Sequence, residues 1–240
     1  MGCYIWRALK LVVVLTTMSG ALSITPSAEA LSTDVVISQV YGGGGNTGAT
    51  YTHDFIELFN RGNVPVSLDG WSVQYASATG TANFGSTATM ITELPAVTLQ
   101  PGQYFLIQEW QGSDGTTPLP TPDFVDSSPI AISQTGAKVV LATSNVSLGC
   151  NGGSAPCTSS QLALIKDLVG WDGANFYEGS PAPATTNTTA ILRVSNGCAD
   201  TDNNTADFRV DAPIPRNAAT SQSACATALY DGWTTRLSVT

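Results

Sequence analysis

The chain has 240 residues, with 9 Lys and Arg against 18 Asp and Glu, a single His and a formal net charge of −9. Affinity for phosphate backbones comes from basic side chains that release counterions. An acidic chain without a downstream Lys/Arg cluster is therefore not expected to bind nucleic acid by itself.

The chain opens with Arg7 and Lys10 ahead of the apolar run LVVVLTTMSGALSI, and AEA at 28–30 offers small residues at signal-peptidase spacing. Residues 1–30 read as a secretory signal peptide cut before Leu31. The run is too short, and too interrupted by Thr, Ser and Gly, to read as a membrane span. No second apolar stretch of spanning length follows, so the expected product is a secreted chain with no membrane attachment. Cleavage removes Arg7, Lys10 and Glu29, leaving 7 basic and 17 acidic residues, net −10. About 210 residues then remain, enough for one well-cored domain or a domain with a long appendage.

Downstream, short apolar runs alternate with Gly, Pro, Asn, Ser and Thr, the pattern of an all-β sandwich or barrel. Expected strands cover 34–40, 54–60, 64–68, 71–76, 91–99, 103–109, 129–133 and 138–144. The segment LALIKDLVGW (162–171) could line a helix face through Leu162, Ile165 and Val169. Gly170 and the β context favour a strand. DG at 69–70 reads as a two-residue hairpin turn. Alternation in VPVSL and WSVQY gives the pattern of a half-buried antiparallel sheet.

Two stretches invite functional readings. HDFIE (53–57) holds the only histidine beside Asp54 and Glu57, yet strand alternation puts Asp54 with Ile56 and Leu58 and turns Glu57 to the other face. No G-x-S-x-G elbow accompanies it, so no catalytic residue is assigned. GGGGNTG (42–48) contains a formal G-x-G-x-x-G but runs into a strand rather than a helix, which a dinucleotide site requires. The glycines are expected to form a flexible inter-strand loop.

Four cysteines follow the signal peptide: Cys150, Cys157, Cys198 and Cys225. An even count in an exported chain reads as disulfides, and four cysteines permit three connectivities. Nearest-neighbour pairing, Cys150 with Cys157 and Cys198 with Cys225, is favoured. Zinc is disfavoured because there is no C-x-x-C pair and no nearby histidine. In DTDNNTADFRVD, Asp200, Asp202 and Asn204 match the start of a calcium loop and Asp211 stands at its twelfth position. Thr205 replaces the turn glycine and Asp211 is shorter than the usual Glu, so Asx-turns are favoured, with calcium as the alternative and no other cofactor expected. Trp110, Trp171, Phe176 and Tyr177 could build a carbohydrate-stacking platform, although core packing is the default for large aromatics.

The order VVISQVYGGGGNTGATYTHDFIELFNRGNVPVSLDGWSVQY, LQPGQYFLI, an apolar strand pair and KDLVGW resembles the exported bacterial branch of lamin tail domains. The likeness spans roughly residues 34–178, and ILRVSNGCADTDNNTADFRV through PIPRN resembles a C-terminal extension found in that branch. It implies an immunoglobulin-like β-sandwich at 31–178, a disulfide-closed extension at 179–226 and a tail at 227–240. It also implies a non-catalytic module that binds a protein or a cell-surface polymer. Such modules often precede a secreted endonuclease/exonuclease/phosphatase-type nuclease, so an accessory N-terminal piece of such an enzyme is the alternative.

Overall fold

A computed structural model describes residues 32–225; the expected signal peptide and the 227–240 tail lie outside them. Runs of Val, Ile, Leu, Phe and Tyr punctuated by Gly, Pro and Asn give short strands, as their β propensity demands. These are β1 (Val35–Tyr41), β2 (His53–Asn60), β3 (Val66–Ser67), β4 (Ser72–Ser77), β5 (Ile91–Glu93), β6 (Thr98–Leu99), β7 (Tyr104–Gln111), β8 (Phe124–Val125), β9 (Ala137–Ala142), β10 (Ile165–Gly170), β11 (Ala190–Arg193) and β12 (Phe208–Asp211). Two one-turn helices, α1 (Ser159–Leu162) and α2 (Asn204–Asp207), complete the set.

One sheet runs β12-β11-β1-β2-β7-β8, a second runs β10-β9-β4-β5, and β3 pairs with β6. All pairings are antiparallel except β7 with β8. Val35, Ile37, Ile56, Leu58, Phe105 and Ile107 from the first sheet meet Val73, Tyr75, Val139, Leu141 and Val169 from the second. That is the inward-facing core of a β-sandwich.

A bulge between Ile37 and Gln39 makes this core possible. Strict alternation from Val35 and Ile37 would point Gln39 inward. The extra residue, Ser38, resets the parity, so that Val40 joins the core and Gln39 instead exchanges hydrogen bonds with Ile214 at 2.8 Å.

Both sheets are covered on their outer faces as well, which corrects the expectation of half-buried strands. Every residue of β1 is buried, and so are all of β4 except Ser77. Phe84, Leu148, Cys150, Cys157 and Phe176, from long connections, cover Ala76, Val140 and Leu168. On the other sheet, Val36, Phe59 and Tyr104 pack against Cys198 and Cys225. With residues 212–225 laid across that sheet, the 179–226 segment is no appendage. Its β11 pairs with β1, and β12 extends the same sheet.

Three local expectations also change. The DG turn is a corner between sheets, with Gly70 at φ 75°, because β3 pairs with β6 while β4 pairs with β5 and β9. The 91–99 run divides into β5 and β6 around Pro95, which has no amide N–H for a ladder. Residues 129–133 form no strand: Pro129 lacks the donor, and the Ile130 and Ile132 N–H groups go to the Glu109 and Asp54 carboxylates at 2.8 and 2.9 Å. The 162–171 segment is a strand as favoured: β10 covers Ile165–Gly170, and only Leu162 belongs to the one-turn α1 before it. Among the described residues, no helix is long and apolar enough to cross a membrane.

Candidate functional site

The HDFIE side chains diverge as alternation requires. His53 Nδ1 lies 2.8 Å from Thr52 Oγ1, and burial lowers the imidazole's pKa. Asp54 points inward and accepts from Gly44 N at 2.8 Å and Ile132 N at 2.9 Å. Burial pushes its carboxyl up to about 8, against the pull of those two donors. Glu57 points to the opposite face, where Arg216 Nη2 lies 2.7 Å from its Oε1 and Arg216 N donates to Oε2 at 2.7 Å. The Arg216 guanidinium also stacks 3.9 Å from the Tyr104 ring centroid. Asp54 therefore fastens two loops, and Glu57 fastens the C-terminal segment. Neither faces the histidine.

The Gly-rich loop is tightly packed, correcting the expectation of flexibility. A Cβ on Gly44 would sit 1.9 Å from the His53 carbonyl carbon, and one on Gly45 would sit 2.3 Å from Gly112 Cα. Gly42, Gly43, Gly44 and Gly45 serve close backbone approach.

Both disulfides join nearest neighbours, Cys150 to Cys157 and Cys198 to Cys225. The calcium-loop residues do not converge on a common centre. Asp200 accepts from Ser32 N at 2.8 Å and faces Arg193 Nη1 at 3.4 Å. Asn204 accepts from Gly170 N at 2.8 Å and donates to Leu168 O at 2.9 Å. Asp211 is at the surface, 3.4 Å from Arg209, and Asp202 takes a left-handed backbone conformation at φ 53°. Asn203 makes a local side-chain turn, capping α2 by accepting from Thr205 N.

A different acidic cluster, invisible to local motif reading, forms around Arg193. Asp167, Glu178 and Asp200 bring one oxygen each to within 4.8 Å of one another. The cation among them is Arg193, which holds Asp167 through both carboxylate oxygens at 2.9 and 2.7 Å and lies 3.9 Å from Asp207. Arg193 Nε also donates to Ile37 O, and Asp167 accepts from Ile37 N, at 2.9 and 2.6 Å. The cluster thus satisfies the backbone freed by the β1 bulge and ties the two sheets together. Burial first, then the Asp167 charge, push Glu178 up to about 10.

Among the four candidate aromatics, Trp171 and Phe176 are core residues and Tyr177 is half-buried. Trp110, at the end of β7, is 49% exposed. It borders a cleft of about 330 Å³ with Tyr75, Met90, Pro129, Thr87 and Thr89. The residue before Trp110, Glu109, is buried. Its Oε2 accepts from Ile130 N at 2.8 Å, while its Oε1 lies 2.7 Å from Thr92 Oγ1. Thr92 Oγ1 also lies 2.8 Å from Asp126 Oδ2. Thr92 Oγ1 is the donor to both carboxylates, joining the three side chains into one chain of hydrogen bonds. Burial, the largest influence, pushes Glu109 up to about 8.

No curated protein matches the chain. Among solved structures, a DUF4876 family protein from Bacteroides thetaiotaomicron is similar at a TM-score of 0.50 and 14% identity, over 80% of this chain and 75% of that one. At that identity the likeness concerns the fold. A family profile described as Lamin Tail Domain matches residues 28–237 and so includes β11, β12 and the C-terminal segment with the sandwich. On that match the chain belongs to the lamin tail domain family.

Proposed function

We infer that the chain is an exported, non-catalytic recognition module that presents a rigid sandwich to a partner protein or cell-surface polymer. The observation that carries this reading is the use made of its acidic side chains. Asp54, Glu57, Glu109, Asp167 and Glu178 are buried and hydrogen-bonded to loop backbone, Arg216, Thr92, Arg193 or Asn204. A hydrolase would instead aim such groups at a cleft beside a nucleophile or a water. Two disulfides fit an oxidising, extracellular setting.

The test uses mature protein, residues 31–240, secreted from an oxidising host. Saturable binding to the producing organism's envelope, with no turnover of phosphodiester, peptide or glycoside substrates, is the expected result. Turnover abolished by Asp54→Asn would overturn the reading. Stoichiometric co-purification with a secreted nuclease would favour the alternative, an accessory piece of such an enzyme.

A further inference from the structure

We propose that the Trp110 cleft binds neutral carbohydrate, one pyranose ring stacking on the indole. This rests on the recognition-module reading and specifies its ligand. Three observations carry it. First, Trp110 is the sole aromatic among the large apolar residues left exposed in the described chain. A half-open indole offers a flat apolar face for the C–H side of a sugar ring.

Second, the rim is hydroxylated and uncharged. Thr87 and Thr89 are exposed, with their hydroxyls 3.2 Å apart. Thr87 stands at the N-cap of the 3-10 turn Ala88–Met90, yet its side chain makes no capping hydrogen bond. Tyr75, Met90 and Pro129 supply the apolar remainder. No lining side chain is charged, and the chain's −9 balance repels polyanions. A ligand with one apolar face and peripheral hydroxyls fits this surface, whereas an anionic polymer does not.

Third, the cleft is pre-organised. Trp110 N donates to Ile130 O at 3.2 Å. The Glu109 carboxyl fastens both the Pro129 wall and β5, which follows the Thr87–Met90 turn. Ile132 N is anchored on Asp54. A platform held this way loses little entropy on binding.

The experiment titrates mature protein with neutral hexasaccharides of glucose, xylose, mannose and N-acetylglucosamine, following tryptophan fluorescence and calorimetry. Saturable binding of at least one is expected. Trp110→Ala should weaken it roughly tenfold, the Thr87→Ala/Thr89→Ala double variant should weaken it about threefold, and neither should change the melting temperature. Polygalacturonate is the anionic comparator and should bind more weakly. No binding of any neutral probe at millimolar concentration, or binding unaffected by Trp110→Ala, would overturn the proposal. Capture of an apolar peptide that sugars cannot displace would overturn it too, leaving the broader module reading intact. Hydrolysis of the bound oligosaccharide would instead overturn the non-catalytic reading.

Discussion

Glu109→Gln tests the raised carboxyl beneath the cleft. A glutamine can still accept from Ile130 N through its amide oxygen, but it cannot ionise. In the wild type, the folded chain keeps a proton that the unfolded chain releases above the ordinary value of 4.5. Stability from this group is therefore full below pH 4.5 and falls as pH rises towards the folded value of about 8. The slope is ~1.4 kcal/mol per pH unit, which over that interval accumulates to at most about 5 kcal/mol. Urea denaturation of both proteins from pH 5 to pH 9 reads the effect directly. The two should be within ~1 kcal/mol at pH 5, with the variant several kcal/mol more stable by pH 8. Asp54 and Glu178 also have raised values, but both remain in the two proteins and cancel in the difference. Parallel curves across the whole range would refute the raised value of Glu109.

Arg193→Met should be among the most damaging substitutions, because it leaves Asp167 and Asp207 buried without their cation and Asp200 with only Arg61 at 3.7 Å. A loss of about 3–5 kcal/mol is expected in chemical denaturation. Cys198→Ala with Cys225→Ala opens a loop of 27 residues and should cost about 3.5 kcal/mol by loop entropy, seen as a lower denaturation midpoint. Gly44→Ala forces a methyl group against the His53 backbone at 1.9 Å. A loss of ~3 kcal/mol or more should follow, with the same substitution at Gly48, where nothing lies within 4 Å of the added atom, costing less despite that residue's positive φ.

Much of the fold could be read along the chain. Strand periodicity is local, so β1, β2, β7, β9 and β10 showed themselves in Val, Ile, Leu and Phe runs bounded by turn residues. Cysteine count read as two disulfides, with nearest-neighbour pairing favoured among three connectivities and found in the structure, and the separation of Asp54 from Glu57 followed from the period of two. Strands β11 and β12 are four residues each. They have no pattern strong enough to stand apart from their neighbours, and they exist as strands because β1 offers an edge.

The amino-acid sequence by itself determined an all-β chain, its principal strands and the lack of a local catalytic motif, since each depends on residues close together in the chain; the sandwich was implied by the resemblance to lamin tail domains. Tertiary structure alone decided where charge and aromatic surface ended up. The partners of Arg193 and Asp167 come from β1, the 195–207 connection and the opposing sheet, and Glu57 finds Arg216 across 159 positions. Two tryptophans in similar polar-apolar contexts part company for the same reason: the sandwich closes over Trp171 and leaves Trp110 half-open at its margin. Burial is a property of what folds over a residue, and that covering comes from chain too distant for any local pattern to foretell.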